Sequence, residues 1–108
     1  GEYADEVNII ESLSGIKLNK DTFKMVYNQI EIELSKNEFK LLGKLIKNQN
    51  KIISREELLE EIWDDVTFVD DNTLTVNITR IRNKLRELGV NEFISTKRGI
   101  GYMFQSNC

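Results

Sequence analysis

The stretch from Asn72 to Phe104 constrains the fold of this chain more than any other. Leu74, Ile78, Ile81, Leu85 and Leu88 recur at steps of four and three residues, which lays one apolar stripe along a helix. The opposite face holds Asn72, Val76, Thr79, Arg80 and Asn83, with Arg82 and Arg86 on its flanks and Thr75 and Asn77 pointing sideways. Gly89 supplies the left-handed stop. Immediately afterwards, Ile94 to Phe104 reads as two short strands joined by a cationic, glycine-bearing turn around Lys97-Arg98-Gly99. Gly99 and Gly101 suit a turn and a close packing contact, and Tyr102 and Phe104 suit a core.

Upstream, the spacing changes. Val7–Leu13 reads as a first strand, followed by Ile16-Lys17-Leu18, Phe23–Tyr27 and Ile30–Leu34, each with some alternation. Asn19-Lys20-Asp21 and Asn28-Gln29 provide the turns between them, so the expected product is a small antiparallel sheet. Ser35-Lys36-Asn37-Glu38 has the pattern of a capping box, and Phe39, Leu42, Leu45 and Ile46 mark a helix to about Asn48. Ile52-Ile53 is an extended link. Ser54-Arg55-Glu56-Glu57 is a second box, and Leu58, Leu59, Ile62 and Trp63 are the expected buried side of a second helix. Asp64 to Asp71 reads as a loop, from which Asp70 or Asp71 caps the third helix. Strands, three helices and a terminal hairpin in this order define an α+β winged helix-turn-helix. Residues 1–8 are expected to be a linker or cloning remnant, and residues 9–108 the domain.

Composition narrows the chemistry. At 108 residues the chain suits one domain with a modest core. Its apolar runs are too short to span a membrane, so no membrane partner is expected. The one cysteine, Cys108, argues for a reducing compartment and against a disulfide framework, and histidine is absent. Neither a zinc site nor a histidine-dependent nucleophile has its parts, and we expect no metal, no cofactor and no catalysis. The acidic pairs Glu56-Glu57, Glu60-Glu61 and Asp64-Asp65 read as solvated surface rather than catalytic carboxylates. The net charge of −3 is unevenly spread. Residues 1–71 carry nine basic and sixteen acidic side chains, net −7, whereas residues 72–108 carry six and two, net +4. Because salt screens charges beyond roughly 8 Å, a basic face on an acidic body is compatible with binding a polyanion.

Five pieces, in order, carry a resemblance to a known family: Leu34-Ser35-x-x-Glu38-Phe39-x-Leu41-Leu42; Ile53-Ser54-Arg55-Glu56-x-Leu58-Leu59; Trp63; Val76-x-Ile78-x-Arg80-Ile81-Arg82-x-Lys84-Leu85; and Arg98-Gly99-x-Gly101-Tyr102-x-Phe104. From Ile9 to Phe104 the chain resembles the DNA-binding effector domain of OmpR/PhoB-type two-component response regulators. The run Asp71–Arg80 resembles the Gram-positive subgroup that answers cell-envelope stress and antimicrobial peptides. The resemblance implies a four-stranded N-terminal sheet, a bacterial cytoplasmic setting and a phosphorylatable receiver domain served by a cognate sensor kinase. It also implies tandem direct repeats in duplex DNA, with a second protomer alongside.

The residues themselves suggest how DNA would be read. Val76, off the core stripe, can touch a thymine methyl in the major groove; arginine suits guanine or phosphate, and asparagine suits adenine. Asn72, Thr75, Val76, Thr79, Arg80 and Asn83 are therefore the expected reading face. Arg82, Lys84 and Arg86 are expected to meet phosphate or to pair with Glu87 and its neighbours. The resemblance implies that Arg98 reaches the minor groove or its phosphates and that Thr96 touches backbone, with Lys97 completing the wing tip. It further assigns Trp63, Asp64, Asp65, Val66, Thr67, Phe68, Val69 and Asp70 to a loop that touches RNA polymerase or a neighbouring protomer. The rival reading is a winged helix that binds proteins without reading DNA, since a fold does not fix its use.

Overall fold

A computed structural model of the chain describes residues 9–12, 15–63, 70–90 and 92–106. Four short strands open it: β1 (Ile9–Glu11), β2 (Lys17–Asn19), β3 (Lys24–Tyr27) and β4 (Ile30–Glu33). They form one antiparallel sheet in sequence order. Its register sets Ile10 beside Leu18, Leu18 beside Met25 and Met25 beside Ile32. Because side chains alternate between faces, this row makes a single apolar surface. Leu18 and Met25 are fully buried, and Ile10 and Ile32 pack at the rim.

Three helices follow: α1 (Lys36–Lys47), α2 (Arg55–Ile62) and α3 (Asp71–Leu88). Both bonds of the capping box are present at α1, where Ser35 Oγ accepts from the Glu38 amide and the Glu38 carboxylate accepts from the Ser35 amide. At α2, Ser54 Oγ accepts from the Glu57 amide. Asp70 caps α3 by accepting from Thr73 N at 2.9 Å, which holds its carboxyl below the usual range. Gly89 ends α3 with φ of 73°. The stripe of α3 is the centre of the core, with Leu74, Ile78, Ile81, Leu85 and Leu88 all at most 5% exposed.

β6 (Glu92–Lys97) and β7 (Gly101–Ser106) are the expected hairpin, but they do not stand alone. The link at Ile52-Ile53 is strand β5 (Ile52–Ser54), which pairs with β7 and leaves β7 central in a three-stranded sheet ordered β5-β7-β6. Gly101 makes that possible: a Cβ there would lie 1.9 Å from the Ile53 carbonyl oxygen and 2.8 Å from Ser54 Cα.

Two expectations need correcting. Trp63 is 51% exposed, not buried beside Leu58 and Ile62. The helix stops at Ile62, and Trp63 adopts extended backbone (φ −67°, ψ 136°), so it no longer follows the helical face. Lys84 pairs with Glu38 of α1 at 2.6 Å and also donates to the Glu33 carbonyl, rather than meeting Glu87 on its own helix.

Candidate nucleic-acid interface

The exposed face of α3 follows from the burial of its other face. With the stripe committed to the core, helical geometry turns Asn72, Thr75, Val76, Thr79, Arg80 and Asn83 outward, and all six are exposed. Val76 is 38% exposed, a β-branched side chain with no place in the core. The Thr79 hydroxyl donates back to the Thr75 carbonyl at 3.0 Å, which fixes its rotamer. Asn77 departs from its sideways placement: it is 6% exposed and donates from Nδ2 to the Thr73 carbonyl.

The wing turn lies at residues 98–100, with Arg98 and Thr96 exposed and Lys97 half-buried. Its position is set from α2, whose first amide, Arg55 N, donates to the Ile100 carbonyl at 3.2 Å. Arg82 is half-buried and bridges to the wing, donating from Nε to the Ile94 carbonyl at 3.1 Å and from Nη2 to Thr96 Oγ1. Thus the expected residues divide into two sets. Asn72, Val76, Thr79, Arg80 and Asn83 present an exposed surface on α3, while Arg82 and Thr96 are joined to each other. Asp64 to Val69 lie outside the described residues, and of that proposed contact loop only exposed Trp63 and Asp70 are visible.

Sequence reasoning missed Arg55 as a site residue. It donates to Tyr102 Oη at 2.9 Å, to the Asp71 carboxylate and carbonyl, and to Thr75 Oγ1, each of the last three at 3.3 Å. A shallow pocket beside it is lined by Ser54, Arg55, Glu56, Leu59, Asp71, Gly99 and Ile100, where α2, α3 and the wing meet. A signal was present in the sequence. A cation in the first turn of a helix opposes the helix dipole, and such local conflicts mark functional or specially compensated positions.

Behind the exposed face of α3, Glu38 is 2% exposed. Burial alone would raise its carboxyl. Hydrogen bonds from Lys84 and the Ser35 amide, with the charges of Lys84 and Arg80, outweigh burial and hold it below the usual carboxylate range.

Residues 29–104 match the family described as "Transcriptional regulatory protein, C terminal". The chain belongs to this family, as an OmpR/PhoB-type DNA-binding domain. It is 48% identical over 111 residues to the uncharacterized transcriptional regulatory protein YvcP of Bacillus subtilis, covering 99% of this chain and 46% of that protein. It is 47% identical over 88 residues to the response regulator protein GraR of Staphylococcus saprophyticus, covering 82% of this chain and 38% of that one. Among solved structures, the C-terminal domain of the nisin resistance regulator NsrR, a lantibiotic response regulator, superposes with a TM-score of 0.67 at 33% identity, covering 92% of this chain and 93% of that one. The chain thus spans less than half the length of these two curated relatives. Among the described residues no helix is long and apolar enough to cross a membrane.

Proposed function

We propose that this domain reads duplex DNA with α3 in the major groove and the wing at the minor groove, as the output end of a phosphorylation-controlled transcription regulator. The observation that carries it is the face of α3: its stripe is buried, and Val76, Thr79, Arg80 and Asn83 stand exposed one turn apart beside the cationic wing. Val76 contacts a thymine methyl, Arg80 a guanine edge with or without phosphate, and Asn72, Thr75, Thr79 and Asn83 adjoining bases or phosphates. Lys97 and Arg98 place charge in or over the minor groove, where arginine responds to groove width rather than to base identity.

Residues 9–108 form the effector domain, controlled through a receiver domain served by a cognate sensor kinase; that the chain spans less than half the length of its relatives leaves room for one. The regulator works in the cytoplasm. Two protomers bind tandem direct repeats, and the segment from Trp63 to Asp70 meets RNA polymerase or the neighbouring protomer. The names of the relatives, a response regulator and a lantibiotic response regulator, support a role in the response to envelope-directed antimicrobial peptides.

Footprinting on genomic fragments tests the reading. A protected segment whose affinity falls with Arg80→Ala and Val76→Ala supports it. If no fragment is protected, or if neither substitution alters protection, the reading fails and a protein partner for this face becomes the better account.

A further inference from the structure

Among the described residues β6 is an edge strand: the sheet order β5-β7-β6 gives it a neighbour, β7, on one side only. An edge leaves backbone acceptors unpaired, and such groups need partners where solvent is excluded. Arg82 supplies one. Its guanidinium reaches Ile94 O and Thr96 Oγ1, two residues apart on the same strand, and lies 5.8 Å from the ring centroid of Tyr102, the residue paired with Thr96 across the hairpin. Arg55 approaches the same ring at 5.5 Å while bonding its hydroxyl. Tyr102 is therefore the joint at which α2, α3 and both wing strands meet.

We infer that Arg82 is a positioning residue for DNA binding: it fixes the wing against the recognition helix, so that the wing-tip contact of Arg98 depends on it. This rests on the DNA-reading role proposed above. The planar fork is what matters. A lysine keeps the charge but is a single compact ammonium and cannot hold the carbonyl, the hydroxyl and the ring together. Two expectations follow that a phosphate contact would not share. Charge alone will not rescue the position, and the loss will vanish once the wing contact is already gone.

The experiment is a double-mutant cycle on the footprinted duplex at several salt concentrations, using wild type, Arg82→Lys, Arg82→Gln, Arg98→Ala and Arg82→Lys with Arg98→Ala. Arg82→Lys should weaken binding about tenfold, within the range of coupled neighbours, and should flatten the salt slope as Arg98→Ala does, because it loosens the same contact. It should cost little more in the Arg98→Ala background. Amide hydrogen exchange without DNA supplies an independent arm. Arg82→Lys, or Thr96→Val if the first variant folds poorly, should loosen the amides of Lys97 to Ile100 and leave α1 protected. The inference is overturned if Arg82→Lys binds like wild type while Arg82→Gln flattens the salt slope, if the two losses simply add, or if wing exchange is unchanged. Should wild type bind no duplex, the DNA-reading role fails, and the exchange arm still decides whether Arg82 holds the wing.

Discussion

Val76 and Arg80 stand one helical turn apart on the exposed face of α3, and their chemistry assigns them different work. Val76→Ala removes methyl groups from a side chain outside the core stripe, so the fold should persist and discrimination at one thymine should fall. Circular dichroism together with binding to single-base operator variants checks both parts; equal weakening on all operators would remove Val76 from the groove. Arg80→Ala should cost about 1–3 kcal/mol on the cognate duplex and relax its sequence preference. Arg98 differs because its neighbours on the wing turn carry charge and hydroxyl but little base-reading geometry. Arg98→Ala should weaken cognate and scrambled duplexes alike and flatten the log–log salt dependence by about one unit. Titrations of the two arginine variants at several salt concentrations separate these roles.

At the scale of elements, two contacts decide how the parts sit together. The Glu38–Lys84 pair ties the first turn of α1 to the C-terminal half of α3. Its carboxyl lies below its ordinary value of 4.5 in the fold, so the ionised form is favoured by folding. The stabilisation is present above the unfolded value and is lost as pH falls through the lower folded value. Glu38→Gln should therefore lower Tm at neutral pH, and the gap from wild type should narrow as the pH is brought below about 4.5, as thermal melts across pH will show. The second contact is between β5 and β7. Gly101→Ala would push a methyl group into the backbone of Ile53 and Ser54. Overpacking of this kind costs about 1–3 kcal/mol or more, and here the strands must part to relieve it. Denaturant unfolding should show the loss, accompanied by weaker DNA binding because the wing shifts with β7.

Over the whole molecule, residues 1–71 carry a net charge of −7 and residues 72–108, with α3 and the wing, a net charge of +4. Such a distribution gives modest non-specific attraction, so one domain with one recognition helix should bind a half-site weakly. Two copies on direct repeats about one helical turn apart, roughly 10–10.5 bp centre to centre, should bind more tightly. Gel shifts on one and two half-sites measure this, and equal affinity for both, or a demand for inverted repeats, would contradict it.

Much of this architecture was legible in the sequence because it depends on local periodicity and capping. The stripe of α3, the box at Ser35 and Glu38, the cap at Asp70 and the stop at Gly89 are properties of neighbouring residues, and the family pattern set their order. The exposed face of α3 followed, since a helix with one buried side must present the other. Contacts between distant segments were not legible. Ile52-Ile53 has too few residues to show a strand period, and only β7 lying alongside makes it one. Trp63 looked like core because tryptophan is large and apolar, but the end of α2 turned it outward. Lys84 and Arg82 were assigned by their places on one helix, whereas their partners lie 46 and 12 to 14 residues away. The sequence by itself determined which residues could form each element and which face each would show. Only the tertiary structure decided which cations remain open to DNA and which hold the wing, because long, flexible side chains take whatever partner the packing of remote backbone brings within reach.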